Sequence, residues 1–209
     1  MDYIVYILIL ILIESENFYK DINTIYSPTS YDYIINKNNK LEKEFIPDDL
    51  ENISLMFSLK DKKLRKCAKV AFENMARDAK KEGYNIVAVS AFRDYNYQEK
   101  LFLGYKEKKG TYYAELCSAR PGHSEHQTGL GIDFGSTDTK IFIQSDEYKW
   151  MEENCYKYGF IHRFKSSYED ITGIKSEAWH YRYVGKKAAK YMYENDMSLE
   201  EYYIKFIEK

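Results

Sequence analysis

The sequence predicts an α+β domain, a small and mainly antiparallel sheet flanked by helices, with an N-terminal extension. Three observations carry this. Apolar residues recur at steps of three and four in several segments. Short apolar or alternating runs of strand length lie between them. With 44% hydrophobic residues, a chain of 209 can also bury a sizeable core.

Phe45 to Leu50 reads as an extended lead-in, because Ile46 precedes a proline and is biased away from helix. Leu64, Ala68, Ala71, Phe72, Met75 and Ala79 then mark an amphipathic helix of about five turns that stops near Gly83. Asn85 to Ser90 is a buried strand. Leu101, Phe102 and Tyr105 give helical spacing to Gln98–Lys106, and Gly129 to Phe134 reads as a strand. Asp146 is the expected N-cap of a helix containing Trp150 and Met151, with Gly159 just past its end. Phe160–Phe164 and Ala178–Tyr183 are short strands. Helices over about Gly185–Glu194 and Ser198–Ile207 close the chain, the second opened by a Ser198/Glu201 capping box.

Residues 1–40 are set apart from a main domain over 41–209. Tyr3 to Ile13 is an unbroken apolar run of eleven, too short for the ~20 residues of a spanning helix. It suits an export signal or a means of membrane association through residues 3–13. It suits a buried β-branched strand equally well, since Asp2 stands where positive charge belongs. Glu14 to about Asn39 shows no periodicity and reads as a linker or a poorly ordered arm.

The net charge of −2, from 31 basic and 33 acidic residues, argues against a nucleic-acid binder that works by bulk electrostatics. Cys67, Cys117 and Cys155 have no C-x-x-C spacing and read as three buried thiols, neither a zinc ribbon nor a disulfide scaffold.

The chemistry concentrates in Ser124–Phe134 and in Glu177–His180. Of only four histidines, His126 and His180 fall in these stretches, accompanied by Asp133 and Glu177. Two imidazoles, an aspartate and a further glutamate make up a catalytic zinc site: three ligands, an open position for water, and a base. Asp133 stands in an otherwise apolar strand, so a positive partner is expected. For His126 and Asp133 alone, a turn-capping aspartate beside a surface histidine is an equal reading; Glu177, three residues before His180, tips the balance. Arg93, at a strand end, is placed to stabilise an oxyanion, or else to pair with Asp94 or another acid. His123 and His162 are not chosen as ligands: His123 suits a cleft-lining loop, His162 a satisfied strand position.

Together these residues resemble the VanY-type D-alanyl-D-alanine carboxypeptidase family of zinc peptidases, which includes LD-carboxypeptidases. Ser124, His126, Gly129 and Asp133 match its S-x-H-x-x-G-x-A-x-D pattern, within Pro121–Leu130. Glu177 and His180 match E-x-x-H, and Trp179–Gly185 the W-H-Y-R-Y-V-G that overlaps it. Ser90, Arg93 and Gln98 nearly match S-x-Y-R-x-x-x-x-Q. Gly131 replaces the usual alanine and Phe92 the usual tyrosine; neither removes a ligand. The resemblance runs from about Ile46 to Ile204. It implies Zn2+ held by His126, Asp133 and His180, Glu177 as catalytic base, Arg93 polarising the scissile carbonyl, and Ser124 and Gln98 as substrate contacts. It further implies peptidoglycan stem peptides as substrate, cut at the D-Ala–D-Ala bond, and an extracytoplasmic enzyme; a monomer is expected. The alternatives are LD-cleavage of tetrapeptides, an endopeptidase of the same fold, and a non-catalytic peptidoglycan-binding module.

Overall fold

The computed structural model describes residues 19, 21–26, 28, 30–31, 33–137 and 141–208. The apolar run 3–13 lies outside them. Among the described residues, no helix is long and apolar enough to cross a membrane.

These residues divide into two units. The first gathers the described residues up to 26 with Ile35–Phe45 and Asp94–Ser124. In it β1 (Asn23–Ile25) pairs in parallel with β2 (Asn39–Leu41). Residues 23–25 and 39 therefore belong to a sheet ladder, and Ile35 is buried, where the sequence suggested a linker. Strands of three residues are too short to show a period, and this pairing joins segments with no alternation to read.

The second unit holds the described residues of Pro28–Ile34, Ile46–Arg93 and Glu125–Lys209. It opens with a hairpin of β3 (Leu50–Asn52) and β4 (Lys63–Arg65), which leads directly into α1 (Lys66–Lys81). The buried stripe of α1, Ala68, Phe72, Met75, Ala76 and Ala79, keeps four residues of the expected face; Ala71 is half-buried, and Leu64, expected in the helix, is a buried residue of β4. β5 (Ile86–Ser90) follows.

The chain then contributes α2 (Tyr95–Lys109) and α3 (Thr111–Cys117) to the first unit. Asp94 caps α2, its carboxylate accepting from Tyr97 N at 2.7 Å. Gly110, at φ 85°, supplies the left-handed turn between the two helices. α3 was not expected: its seven residues are too few to show a helical repeat.

Back in the second unit come β6 (Gly131–Ser136), α4 (Asp146–Asn154), β7 (Phe160–His162), the single turn α5 (Glu169–Thr172), β8 (His180–Tyr183), α6 (Lys186–Glu194) and α7 (Leu199–Phe206). The cap of α4 is Ser145, whose Oγ accepts from Tyr148 N, and Asp146 is the first helical residue. The expected cap was one residue late, because serine and aspartate are both good caps and stand side by side. The capping box of Ser198 and Glu201 at α7 is present as expected.

Four strands form one antiparallel sheet in the order β5-β6-β8-β7. Its register sets Ser90 against Asp133, Asp133 against His180, and His162 against Tyr181. Directly opposed residues share a face and successive residues alternate. One face therefore carries Phe134, Tyr181, Phe160 and His162. Phe134 packs on Phe72 of α1 at 5.1 Å between ring centroids and on Tyr181 at 5.1 Å. The other face carries Asp133, His180 and Arg182. Cys155 is buried, Cys67 half-buried and Cys117 exposed, all as free thiols, so only one of the three is the buried group expected.

Candidate metal centre

Two polar side chains on the sheet face and a third on the turn before it converge. β6 supplies Asp133 and β8 supplies His180. His126 comes from the 3-10 turn Glu125–Thr128, which ends at Gly129 with φ 67°. The turn cannot carry a larger residue there: a Cβ on Gly129 would meet Arg65 Cγ at 2.9 Å. Ala91, just past β5, takes the Nδ1 hydrogen of His126 on its carbonyl oxygen at 2.7 Å, so Nε2 is turned inward, 3.2 Å from Asp133 Oδ1. His180 is held the other way round. Its Nε2 lies 3.2 Å from Glu125 Oε2 and its Nδ1 2.9 Å from the same Asp133 Oδ1.

The ligand atoms of His126, Asp133 and His180 all lie within 4.8 Å of one another. Each imidazole has its outer nitrogen engaged and presents the other to one carboxylate oxygen. Two imidazole nitrogens facing one oxygen need a proton or a cation between them, and a divalent cation satisfies all three at once. Two nitrogens and one oxygen, with a fourth direction left over, fit zinc in a catalytic role.

The electrostatics without a metal agree. Burial lowers the pKa of His126 to about 4, helped by the Arg93 charge and opposed by Asp133. Burial also acts against charge on His180, but the hydrogen bonds and charges of Asp133 and Glu125 overcome it and raise that pKa to about 9. Asp133 is held well below the usual carboxylate range, since His126 and His180 outweigh the cost of its burial.

Arg93 and Glu177 border this cluster. Arg93 donates from Nη1 to Ser90 Oγ at 2.8 Å, and the same nitrogen is 3.6 Å from Asp133 Oδ2. Its acidic partner is thus Asp133, not the adjacent Asp94, which caps a helix. Glu177 is fixed through its backbone: its N–H donates to Phe164 O at 2.9 Å, and its carbonyl accepts from His180 N at 3.1 Å. Burial raises the pKa of its carboxyl; His180 and Arg93 pull it down less strongly than burial and the Asp133 charge push it up. Ser176, Ala178 and Trp179 line an open cavity of about 450 Å³ together with Val89, Phe134 and Ile143.

A family model for VanY D-alanyl-D-alanine carboxypeptidases matches residues 61–186, a span that includes Arg93, all three clustered ligand candidates and Glu177. The chain belongs to this family. It is 41% identical over 193 residues to YodJ of Bacillus subtilis (strain 168), covering 88% of this chain and 71% of that one. Among solved structures it is similar to the LdcB LD-carboxypeptidase, described for its peptidoglycan recognition, with TM-score 0.82, 40% identity, and 89% and 91% of the two chains covered. It is also similar to a mutant of the vancomycin resistance D,D-pentapeptidase VanY in complex with Zn(II), with TM-score 0.70, 30% identity, and 82% and 98% covered.

The VanY-family motif contains one residue to which sequence reasoning gave no role. Glu125, in the same turn as His126, is 4% exposed, and burial alone would raise its pKa. Arg163, Arg182 and His180 reverse that and hold it far below the usual range. The available signal was indirect: Arg163 follows the apolar strand β7 and Arg182 sits inside β8, and a buried guanidinium requires a carboxylate. Ser124 and Gln98 fall in the first unit, both buried. Gln98 Nε2 donates to Ser118 Oγ at 3.0 Å and Ala119 O at 2.8 Å, a structural use of the amide.

Proposed function

We propose that this chain is a zinc carboxypeptidase that hydrolyses the C-terminal D-alanine from peptidoglycan stem peptides, with the D-Ala–D-Ala bond as its target. The peptidase domain spans 41–209, and the enzyme acts outside the cytoplasm as a monomer. The observation that carries the reading is the convergence of His126 Nε2, His180 Nδ1 and Asp133 Oδ1. These three residues would hold the metal. Zinc, when bound, supplies Lewis acidity and lowers the pKa of its water toward ~7.

The remaining work falls to side chains. Glu177 takes the proton of the attacking water and returns it to the leaving amine nitrogen. A carboxylate whose pKa is raised by burial is suited to both steps. Arg93, tethered to Ser90, stabilises negative charge on the carbonyl oxygen as the tetrahedral centre forms. Ser124 and Gln98 contact the substrate, Gln98 in addition to the structural hydrogen bonds of its Nε2. No covalent enzyme intermediate is needed. The presence of a base and an oxyanion-stabilising cation favours catalysis over a binding module, which needs neither.

The likeness to LdcB favours a second reading, LD-cleavage of tetrapeptides. One assay separates the two: D-alanine release from synthetic penta- and tetrapeptides, with and without a chelator. Chelator-sensitive release from pentapeptide supports the first reading, and release from tetrapeptide alone supports the second. Release of longer fragments from crosslinked peptides, without free D-alanine, would sink both in favour of an endopeptidase.

A further inference from the structure

We propose that Glu125 is a positioning residue for His180, and that Arg163 and Glu200 hold it in place, so that the C-terminal helix α7 governs the metal centre. This rests on the zinc reading above. The path is continuous and short. Glu125 Oε2 lies 3.2 Å from His180 Nε2. Glu125 Oε1 accepts from Arg163 Nε at 2.8 Å. Arg163 then grips Glu200 with both remaining nitrogens, Nη1 to Oε2 at 2.8 Å and Nη2 to Oε1 at 2.5 Å. Arg182 adds a second positive charge, its Nη1 standing 3.4 Å from Glu125 Oε1 while Nη2 donates to the carbonyls of Tyr31 and Tyr33.

The geometry explains why each member is needed. A histidine ligates through Nδ1 only if Nε2 carries the hydrogen, and an acceptor at Nε2 selects that tautomer and sets the ring's angle. Asp133 cannot supply this, because it faces Nδ1. Glu125 can, but it is free to turn unless its other oxygen is fixed. The planar fork of Arg163 fixes it and has one edge left over for Glu200. Glu200 is aimed by the Ser198/Glu201 capping box, which sets the first turn of α7. Two carboxylates and two guanidiniums balance in charge, so each buried ion of the group has an opposite partner. Arg163 and Arg182 are 1% and 0% exposed, so salt screens this network only weakly.

The test uses zinc affinity by chelator competition and the visible spectrum of the Co2+-substituted protein, which reports ligand geometry without reference to turnover. Glu125→Gln is expected to weaken zinc about 10- to 100-fold and to shift the Co2+ spectrum. Glu200→Gln, a milder change at the far end, is expected to move both readouts in the same direction by less. Met75→Ala, in the buried stripe of α1 and away from α7, serves as the control: it lowers Tm but leaves both readouts unchanged. Wild-type affinity and an unaltered spectrum in Glu125→Gln overturn the proposal. If that variant does not fold, an unaltered Glu200→Gln overturns it, as does loss of zinc in proportion to Tm in all three variants. A wild-type chain that binds neither metal overturns the zinc reading itself, and this proposal with it.

Discussion

The two faces of one sheet each bury a histidine beside a carboxylate, and they do different things with it. On one face, His180 of β8 meets Asp133 of β6 at 2.9 Å, and His126 reaches the same oxygen from the preceding turn. On the other, His162 of β7 stands 2.9 Å from Glu152 Oε1 and stacks on Tyr181 at 5.1 Å. Tyr181 donates its hydroxyl to Glu152, and His162 Nε2 lies 3.1 Å from the carbonyl of Glu177. Burial and a carboxylate partner are common to both. What differs is the company: on the first face two imidazoles and a carboxylate bring three metal-ligating atoms together, whereas on the second one imidazole nitrogen and a tyrosine hydroxyl meet at Glu152 Oε1. A buried histidine–carboxylate pair is therefore not a sign of chemistry until a third ligand meets it.

The largest effect that would sharpen this contrast is at Glu177. Glu177→Gln is expected to reduce D-alanine release about 10²- to 10⁴-fold, the usual share of a general base, with zinc content and Tm near wild type. Full turnover in that variant would remove Glu177 as the base. The site would then have three metal ligand candidates and no proton acceptor, and the first face would differ from the second only in what it binds.

How much of this was legible beforehand follows the reach of each signal. Long helices with a clear apolar face, such as α1, were readable because five buried residues repeat at steps of three and four. His126, Asp133 and His180 were readable because the metal chemistry restricts which residue types serve, and the chain offers only four histidines. The hairpin of β3 and β4 was not, since Leu-Glu-Asn and Lys-Leu-Arg have neither alternation nor strand-forming composition. The stretch 33–35, Tyr-Ile-Ile, is buried although it looked like part of a linker. Glu125 escaped notice because its partners are 38, 55 and 57 positions away, and only the strand register brings them together.

The second face is open to smaller tests. His162→Phe keeps a ring on Tyr181 and removes both nitrogens. It is expected to cost about 1–3 kcal/mol of stability, from the loss of two polar contacts, to Glu152 and to the Glu177 carbonyl, at about 0.5–1.5 kcal/mol each, with zinc affinity unchanged. A large loss of zinc would mean that the two faces are coupled through the Glu177 carbonyl, and the contrast drawn above would fail.

The smallest effect concerns Glu152, and its sign depends on pH. Burial would raise its pKa, but the hydrogen bond and charge of His162, with Lys165 and Tyr181, bring it below 4.5. A carboxylate with a depressed folded-state pKa stabilises the fold above its unfolded pKa, and that stability disappears as pH falls through the folded value. Glu152→Gln should therefore lower Tm at pH 7. The difference from wild type should shrink once the pH drops below about 4.5, the region where an unfolded glutamate takes its proton. Thermal melts of both proteins from pH 7 to pH 3 measure it. A gap in Tm that stays constant over that range would show that Glu152 contributes by packing its methylenes and not by its charge. The second face would then resemble the apolar core around Phe134 more than it resembles the metal cluster.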